Sequence, residues 1–232
     1  MGAYDTLRAE GRELYPGVRI GRPGRSRAYW PSIAIMRVLR ARWKVDIQGA
    51  EHVARGAGIF VANHLTAMDP VMVVISGWWR VTAFAKVEVF ENRGAIFFRL
   101  MGQIPLRRGD SDSTDWAMRM AAGTLADGAK IGLYPEGKRS PDPTKLHRLH
   151  KRILVPMLQA HPDVPVYAVT TRYTARPRRR TSVQVRISPP LALDTATMDP
   201  QQLTTVIRDA LLELGGQTYV DVYARDAVRE RR

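Results

Sequence analysis

At 232 residues, 45% of them hydrophobic, the chain is long enough for one large domain with a real core, and its formal net charge of +14 directs it toward an anionic partner: nucleic acid, acidic lipid or a phosphorylated substrate. The absence of cysteine excludes disulfides, thiolate metal sites and a cysteine acyl-enzyme. The first residues lack the apolar core of a signal peptide, and no apolar run approaches the roughly 20 residues that span a bilayer, so any membrane contact is expected to be peripheral.

Residues 1–28 are polar and rich in Gly, Pro and Arg, and read as a poorly structured arm. Residues 30–43, WPSIAIMRVLRARW, have helical periodicity. Ile35, Met36, Val38, Leu39 and Trp43 share one broad side and Arg37, Arg40 and Lys44 gather opposite, with Ile33 and Arg42 off pattern. Such a basic amphipathic helix with tryptophans near both ends can lie in a membrane interface or pack on the domain as a surface helix. The expected organisation is therefore an N-terminal arm with a membrane-contacting helix over 1–43 and a single α/β domain over 44–232.

VDIQG at 45–49 and GIFVA at 58–62 read as strands flanking a turn, and residues 71–79 as a buried helix. Between them, FVANHLTAMDP sets an imidazole and a carboxylate five residues apart. On a continuous helix that spacing would point them about 140° apart, so His64 and Asp69 meet only if the chain turns between them. The Asp69-Pro70 step supplies a reason to turn. A strand ending at Ala62 delivers Asn63 and His64 to the carboxyl edge of a sheet, where open α/β folds hold ligands. Taken alone, the stretch also fits an Asp N-cap preceded by ordinary loop residues.

Residues 81–90 carry a strand leading to Lys86 and Glu88, followed by a helix over 91–102. GQIPLRRGD contains a short strand ending at Arg107 and Arg108, only one of which should face a site, since neighbours on a strand point opposite ways. A helix over 112–127 has Ser111 or Ser113 as its cap. The strand at 131–134 is stopped by Pro135, and Glu136, Gly137, Lys138 and Arg139 follow. Glycine there permits close backbone approach and the cations suit a phosphate, although PEGKRS alone could be a polar turn. His147 and His150 lack an acidic or cysteine partner at ligand spacing, so no metal is expected; this basic stretch reads as a solvated helix face or a contact for an anionic carrier. Residues 164–171 and SVQVRIS form a hairpin with a cationic tip, and a capped helix lies near 199–214.

Together, HLTAMD, GQIPLRR, YPEGKRS and VPVYAV resemble, in order, the four blocks of the glycerolipid acyltransferase superfamily, of the bacterial lysophosphatidic acid (1-acylglycerol-3-phosphate) acyltransferase type, over roughly residues 45–190. The resemblance implies an α/β fold with a mostly parallel mixed central sheet flanked by helices, plus the amphipathic N-terminal appendage. It also implies His64 as general base and Asp69 as the residue that orients it. Arg108, Glu136, Gly137, Lys138 and Arg139 would bind the acceptor's phosphate, and Val164, Pro165 and Val166 would serve the acyl substrate. Lys86 and Arg107 are secondary candidates; Asn63 would donate to an oxyanion or simply hold a turn. Tyr134 and Lys138 stand where the family usually has phenylalanine and threonine.

The implied reaction moves a fatty acyl group from acyl-CoA or acyl carrier protein to lysophosphatidic acid at the cytoplasmic side of the cell membrane, with no cofactor. Glycerol 3-phosphate or a glycolipid is the alternative acceptor. No GxSxG elbow or cysteine is present, which predicts direct transfer in a ternary complex. A non-catalytic nucleic-acid module would need aromatics interleaved on a basic groove, which the sequence lacks, so the anionic partners expected are lysophospholipid, the acyl carrier and a membrane surface.

Overall fold

The computed structural model describes residues 3–21, 28–91, 98–99, 101–175 and 180–230. The chain runs through α1 (Ala3–Leu14), α2 (Tyr29–Leu39), β1 (Lys44–Gln48), β2 (Gly58–Ala62), α3 (Asp69–Ile75), β3 (Val81–Lys86), α4 (Glu88–Glu91), β4 (Ile104–Leu106) and α5 (Ser111–Ala126). It continues through β5 (Lys130–Leu133), β6 (Lys145–His147), α6 (Lys151–Ala160), β7 (Val166–Thr174), β8 (Ser182–Ile187), α7 (Pro200–Gly215), β9 (Thr218–Val220) and α8 (Ala224–Glu230).

Seven strands form one sheet in the order β1-β8-β7-β2-β5-β3-β4, with β6 and β9 pairing separately. Every neighbouring pair in the large sheet is parallel except the β7–β8 hairpin. The mostly parallel α/β fold expected from the sequence is therefore the observed one. Strand β2 is apolar at every position because both its faces are covered. Ile59 and Val61 pack among Trp116, Met120, Leu158 and Ile207, while Phe60 and Ala62 pack among Tyr29, Ile33, Met72 and Ile75. Parallel pairing of β2 with β5, β5 with β3 and β3 with β4 brings four carboxyl-terminal ends together at one edge.

The amino terminus departs from the expected loose arm. Tyr4, Tyr15, Val18 and Ile20 are buried in the core with Trp116 of α5. Trp116 Nε1 donates to the Leu7 carbonyl (2.7 Å), and the Tyr15 hydroxyl bonds Ser113. Gly11 permits the contact, since a Cβ there would come within 2.5 Å of the Trp116 ring. The glycine that made this stretch read as flexible is instead a packing glycine. Residues 22–27 lie outside the described residues.

Helix α2 ends at Leu39 and gives way to a 3₁₀ turn (Arg40–Arg42), shorter than the expected 30–43. Its buried side is Tyr29 and Ile33, the latter off the sequence pattern, while Trp30, Ile35 and Val38 face outward. The side chains of Leu39 and Arg40 lie outside the described set. Helix α5 is capped by Asp110, which accepts the Ser113 amide, in place of either serine; the Ser113 hydroxyl accepts the Arg107 amide (2.7 Å) instead. His147 belongs to strand β6 and is buried, so the basic 145–152 stretch is not one solvated helix face. A helix over 91–102 falls mostly on 92–97 and 100, outside the described residues, as do 176–179 at the hairpin tip. No helix among the described residues is long and apolar enough to cross a membrane.

Trp116→Ala is expected to lower the unfolding free energy by about 3–5 kcal/mol in urea denaturation, since it removes a buried indole and the anchor of α1. A loss under about 1 kcal/mol would mean that the N-terminal helix is not docked.

Candidate active site

The turn after β2 is built around the Asp69 carboxylate. Oδ2 accepts hydrogen bonds from the Leu65 and Thr66 amides (2.6 and 2.8 Å) and lies 2.9 Å from His64 Nδ1. Oδ1 accepts from the hydroxyls of Thr66 (3.1 Å), Thr171 (3.0 Å) and Tyr173 (2.8 Å). Met68, not Asp69, occupies the N-cap position of α3, so the carboxylate turns back onto the preceding loop and does not cap the helix. Burial pushes the Asp69 carboxyl up, but the bonds from His64, Thr66 and Tyr173 outweigh it and hold the group below its ordinary value. An ionised Asp69 facing Nδ1 fixes the tautomer with the proton on Nδ1, leaving Nε2 as a free base. The ring rests against Tyr134, centroid to centroid 4.8 Å. Burial and the Asp69 charge raise the Tyr134 and Tyr173 phenols, which stay protonated.

The backbone of His64 is held from a second segment. Its amide donates to Glu136 Oε2 (2.7 Å) and its carbonyl accepts the Ser140 amide (2.7 Å). Glu136 Oε1 accepts the His147 amide (3.1 Å), so one fully buried carboxylate bridges the β2 turn and β6. Burial pushes its carboxyl up to about 7, the two amide bonds pulling down and the Asp69 charge pushing further up. Glu136 therefore braces the main chain. With both oxygens engaged inside the protein it does not reach toward a phosphate, the role that the family resemblance implied for it.

A cavity of about 750 Å³ opens on His64. Lys86, Arg108, Lys138 and Arg139 line it, together with Ala62, Val73, Phe84, Phe98 and Met101. Strand β4 ends at Leu106, before both arginines, and Arg107 points away to bond Asp110 and the Leu14 carbonyl. Gly137 sits at φ 69°, with its carbonyl accepting from the Arg108 guanidinium, so it shapes the loop and anchors a cation. Asn63 is buried with its amide nitrogen on the Thr171 carbonyl (3.1 Å) and Gln217 Oε1 (3.3 Å) and its oxygen on the Thr171 amide (2.8 Å). Those bonds occupy the side chain and make it a structural clamp between β2 and β7, away from any oxyanion.

Val164, Pro165 and Val166 are not brought to this cavity. Val166 pairs with Ile59, three residues before Ala62, which sets it at the opposite edge of the sheet from His64. The apolar lining comes instead from β2, β3, α3, Phe98 and Met101. Sequence reading also missed Thr171, Tyr173 and Ser140. Ser140 closes the recognised YPEGKRS block but had no role assigned to it, whereas Thr171 and Tyr173 carry no local signal, because only strand pairing brings them to Asp69. Among the described residues no group of His, Asp and Glu could hold a metal ion.

Glu136 also gives the site a pH signature. Its carboxyl titrates about 7 in the fold against an ordinary 4.5, so the native state holds the proton more tightly than the unfolded chain. The stability it contributes is full below that lower value and is lost as pH rises to the upper one. Glu136→Gln does not titrate. The stability difference between variant and wild type is expected to move in the variant's favour by on the order of 3 kcal/mol across that window, read from urea denaturation at a series of pH values. A pH-independent difference would show an ordinary carboxyl.

The crystal structure of the 1-acyl-sn-glycerophosphate (LPA) acyltransferase PlsC from Thermotoga maritima is similar in fold, with a TM-score of 0.59, 19% identity, and coverage of 90% of this chain and 87% of that one. No curated protein sequence matches. The family model described as Acyltransferase matches residues 44–172, a span that holds His64, Asp69, Arg108, the 136–140 loop and Tyr173's neighbour Arg172. That match covers more than half of the sequence, and the chain belongs to the Acyltransferase family.

Proposed function

We propose that this protein is a 1-acylglycerol-3-phosphate O-acyltransferase, transferring a fatty acyl group from acyl-CoA or acyl carrier protein to the free hydroxyl of lysophosphatidic acid and forming phosphatidic acid. The observation that carries the reading is one cavity lined jointly by His64, by four cations and by a long apolar wall. A phosphomonoester carries close to two negative charges and an acyl chain has none, so lysophosphatidic acid and an acyl thioester match both parts of that lining. The similarity to an enzyme titled as a 1-acyl-sn-glycerophosphate acyltransferase supports the same acceptor.

In this mechanism Arg108, Lys138 and Arg139 hold the acceptor phosphate, and Lys86 adds positive charge to the same mouth. His64 Nε2 takes the acceptor's hydroxyl proton as its oxygen attacks the thioester carbonyl. Asp69 stabilises the imidazolium that results. Collapse of the tetrahedral intermediate breaks the C–S bond, and the imidazolium returns the proton to the departing thiolate. No residue of the protein is acylated, and the chemistry needs no cofactor.

The same reading places the enzyme peripherally at the cytoplasmic face of the cell membrane. Trp30, Ile35, Val38 and Trp78 are 42%, 61%, 73% and 58% exposed, and among the described residues the other exposed large apolar side chain is Val222. Arg37 stacks over Trp78 at 4.6 Å, a basic group beside apolar ones, as an interface with anionic head groups requires. Met36, on the same helix, lines the cavity, so lipid substrate entering from the bilayer meets α2 first. Within the 1–43 segment we assign membrane contact to α2 and a packing role to α1.

His64→Ala is expected to lower kcat/KM for lysophosphatidic acid by roughly 10²–10⁴ with the thermal midpoint retained. Near-normal turnover in that variant would overturn the assignment of the base. The double change Ile35→Ser, Val38→Ser should weaken binding to vesicles containing phosphatidylglycerol by about tenfold or more, measured by sedimentation. Equal binding by variant and wild type would move the membrane surface elsewhere.

A further inference from the structure

We infer that the C-terminal helix α8 is a wall of the phosphate end of the substrate cavity, with Val228 facing the bound phosphate-bearing substrate and Arg225 adding its charge to those of Arg108, Lys138 and Arg139. The inference deepens the proposed acyltransferase reading and rests on it. Helix α8 lies well beyond residue 172, where the family match ends, so nothing in that match accounts for it.

Val228 lines the cavity that His64, Arg108, Lys138 and Arg139 line. The helix is held there by a continuous series of contacts to the segment following the 136–140 loop. Strand β9 pairs in parallel with β6, Lys145 opposite Thr218 and His147 opposite Val220. Beyond the pair, the Arg148 amide donates to the Val222 carbonyl (3.1 Å), and the Arg148 guanidinium binds Asp221 through two bonds of 2.7 and 2.6 Å. Tyr223 then stacks flat on His150, with centroids 4.2 Å apart and planes 6° from parallel, and Ala224 is fully buried.

His150 links the helix to the cations. A Cβ on Gly137 would come within 2.8 Å of its ring, and the Gly137 carbonyl accepts from Arg108. Tyr223, two residues before Arg225, stacks on the His150 ring that lies against Gly137, and the charges of Arg225 and Arg108 add to burial in lowering that imidazole, with Asp226 opposing them. Asp226, 3.2 Å from Arg225 Nε, offsets part of that charge, but Arg225 is half exposed and an incoming dianion outweighs a single carboxylate. An apolar Val228 beside the phosphate excludes water and so strengthens each of these attractions.

The shared ligand chemistry is a phosphate monoester, carried either by lysophosphatidic acid or by the 3′-phosphate of coenzyme A. Steady-state kinetics on the full chain separates the two. For Arg225→Glu, KM should rise about tenfold for lysophosphatidic acid and stay level for monoacylglycerol if the acceptor's phosphate sits there. If the coenzyme's phosphate sits there, KM should rise for acyl-CoA and stay level for an acyl-pantetheine thioester. Val228→Asp should give the same selective pattern. Unchanged KM values for both phosphate-bearing substrates in both variants, with wild-type circular dichroism, would overturn the role of α8 alone. A wild-type protein that acylates no lysophosphatidic acid would instead refute the functional reading, and this inference with it.

Discussion

The peptide of His64 is gripped at both ends by one distant loop, with Glu136 taking its amide and the Ser140 amide taking its carbonyl. These bonds fix the main chain from which the imidazole projects, and breaking them would leave polar groups unpaired. The side chain that receives the proton in the proposed reaction is thereby positioned through its main chain, while Asp69 fixes it through its ring. The two controls come from different segments of the sequence and share no residue. The same loop also carries Lys138 and Arg139, so the spacing between base and cations is set by the same bonds.

Those bonds are possible because β2 and β5 are parallel neighbours. Parallel strands emit their following loops at the same edge, so the turn after Ala62 and the turn after Leu133 meet without any long excursion. Extending the row through β3 and β4 delivers Lys86 and Arg108 to the same rim. Four short stretches scattered over some seventy residues become one site through strand order, and no single stretch contains the site.

This explains what could be read from the sequence and what could not. His64 and Asp69 were legible because five residues and a proline limit how the chain can run between them. The 136–140 loop was legible as a site element, but Glu136 was assigned to ligand when its work is internal; a carboxylate beside cations looks the same in one dimension whichever way it faces. Tyr173 lies 104 residues from Asp69 and reaches it only through the pairing of β7 with β2, a fact of topology. The same topology sets Val164, Pro165 and Val166 away from the cavity's apolar wall, since a strand has two ends and the sequence does not say which one meets the site. Helix α1 was hidden by composition, because a glycine needed for contact with Trp116 is indistinguishable from one that loosens a loop.

Strand β4 is the last in the sheet, only three residues long, with a proline at its centre. Pro105 has no amide hydrogen to offer, and its carbonyl is already approached by the Tyr15 hydroxyl at 3.4 Å. Sheets grow edge to edge between copies where a border offers free amides and carbonyls, and this border gives such growth almost nothing to template upon. A second copy approaching along that side therefore meets a strand whose central residue has no amide hydrogen with which to pair.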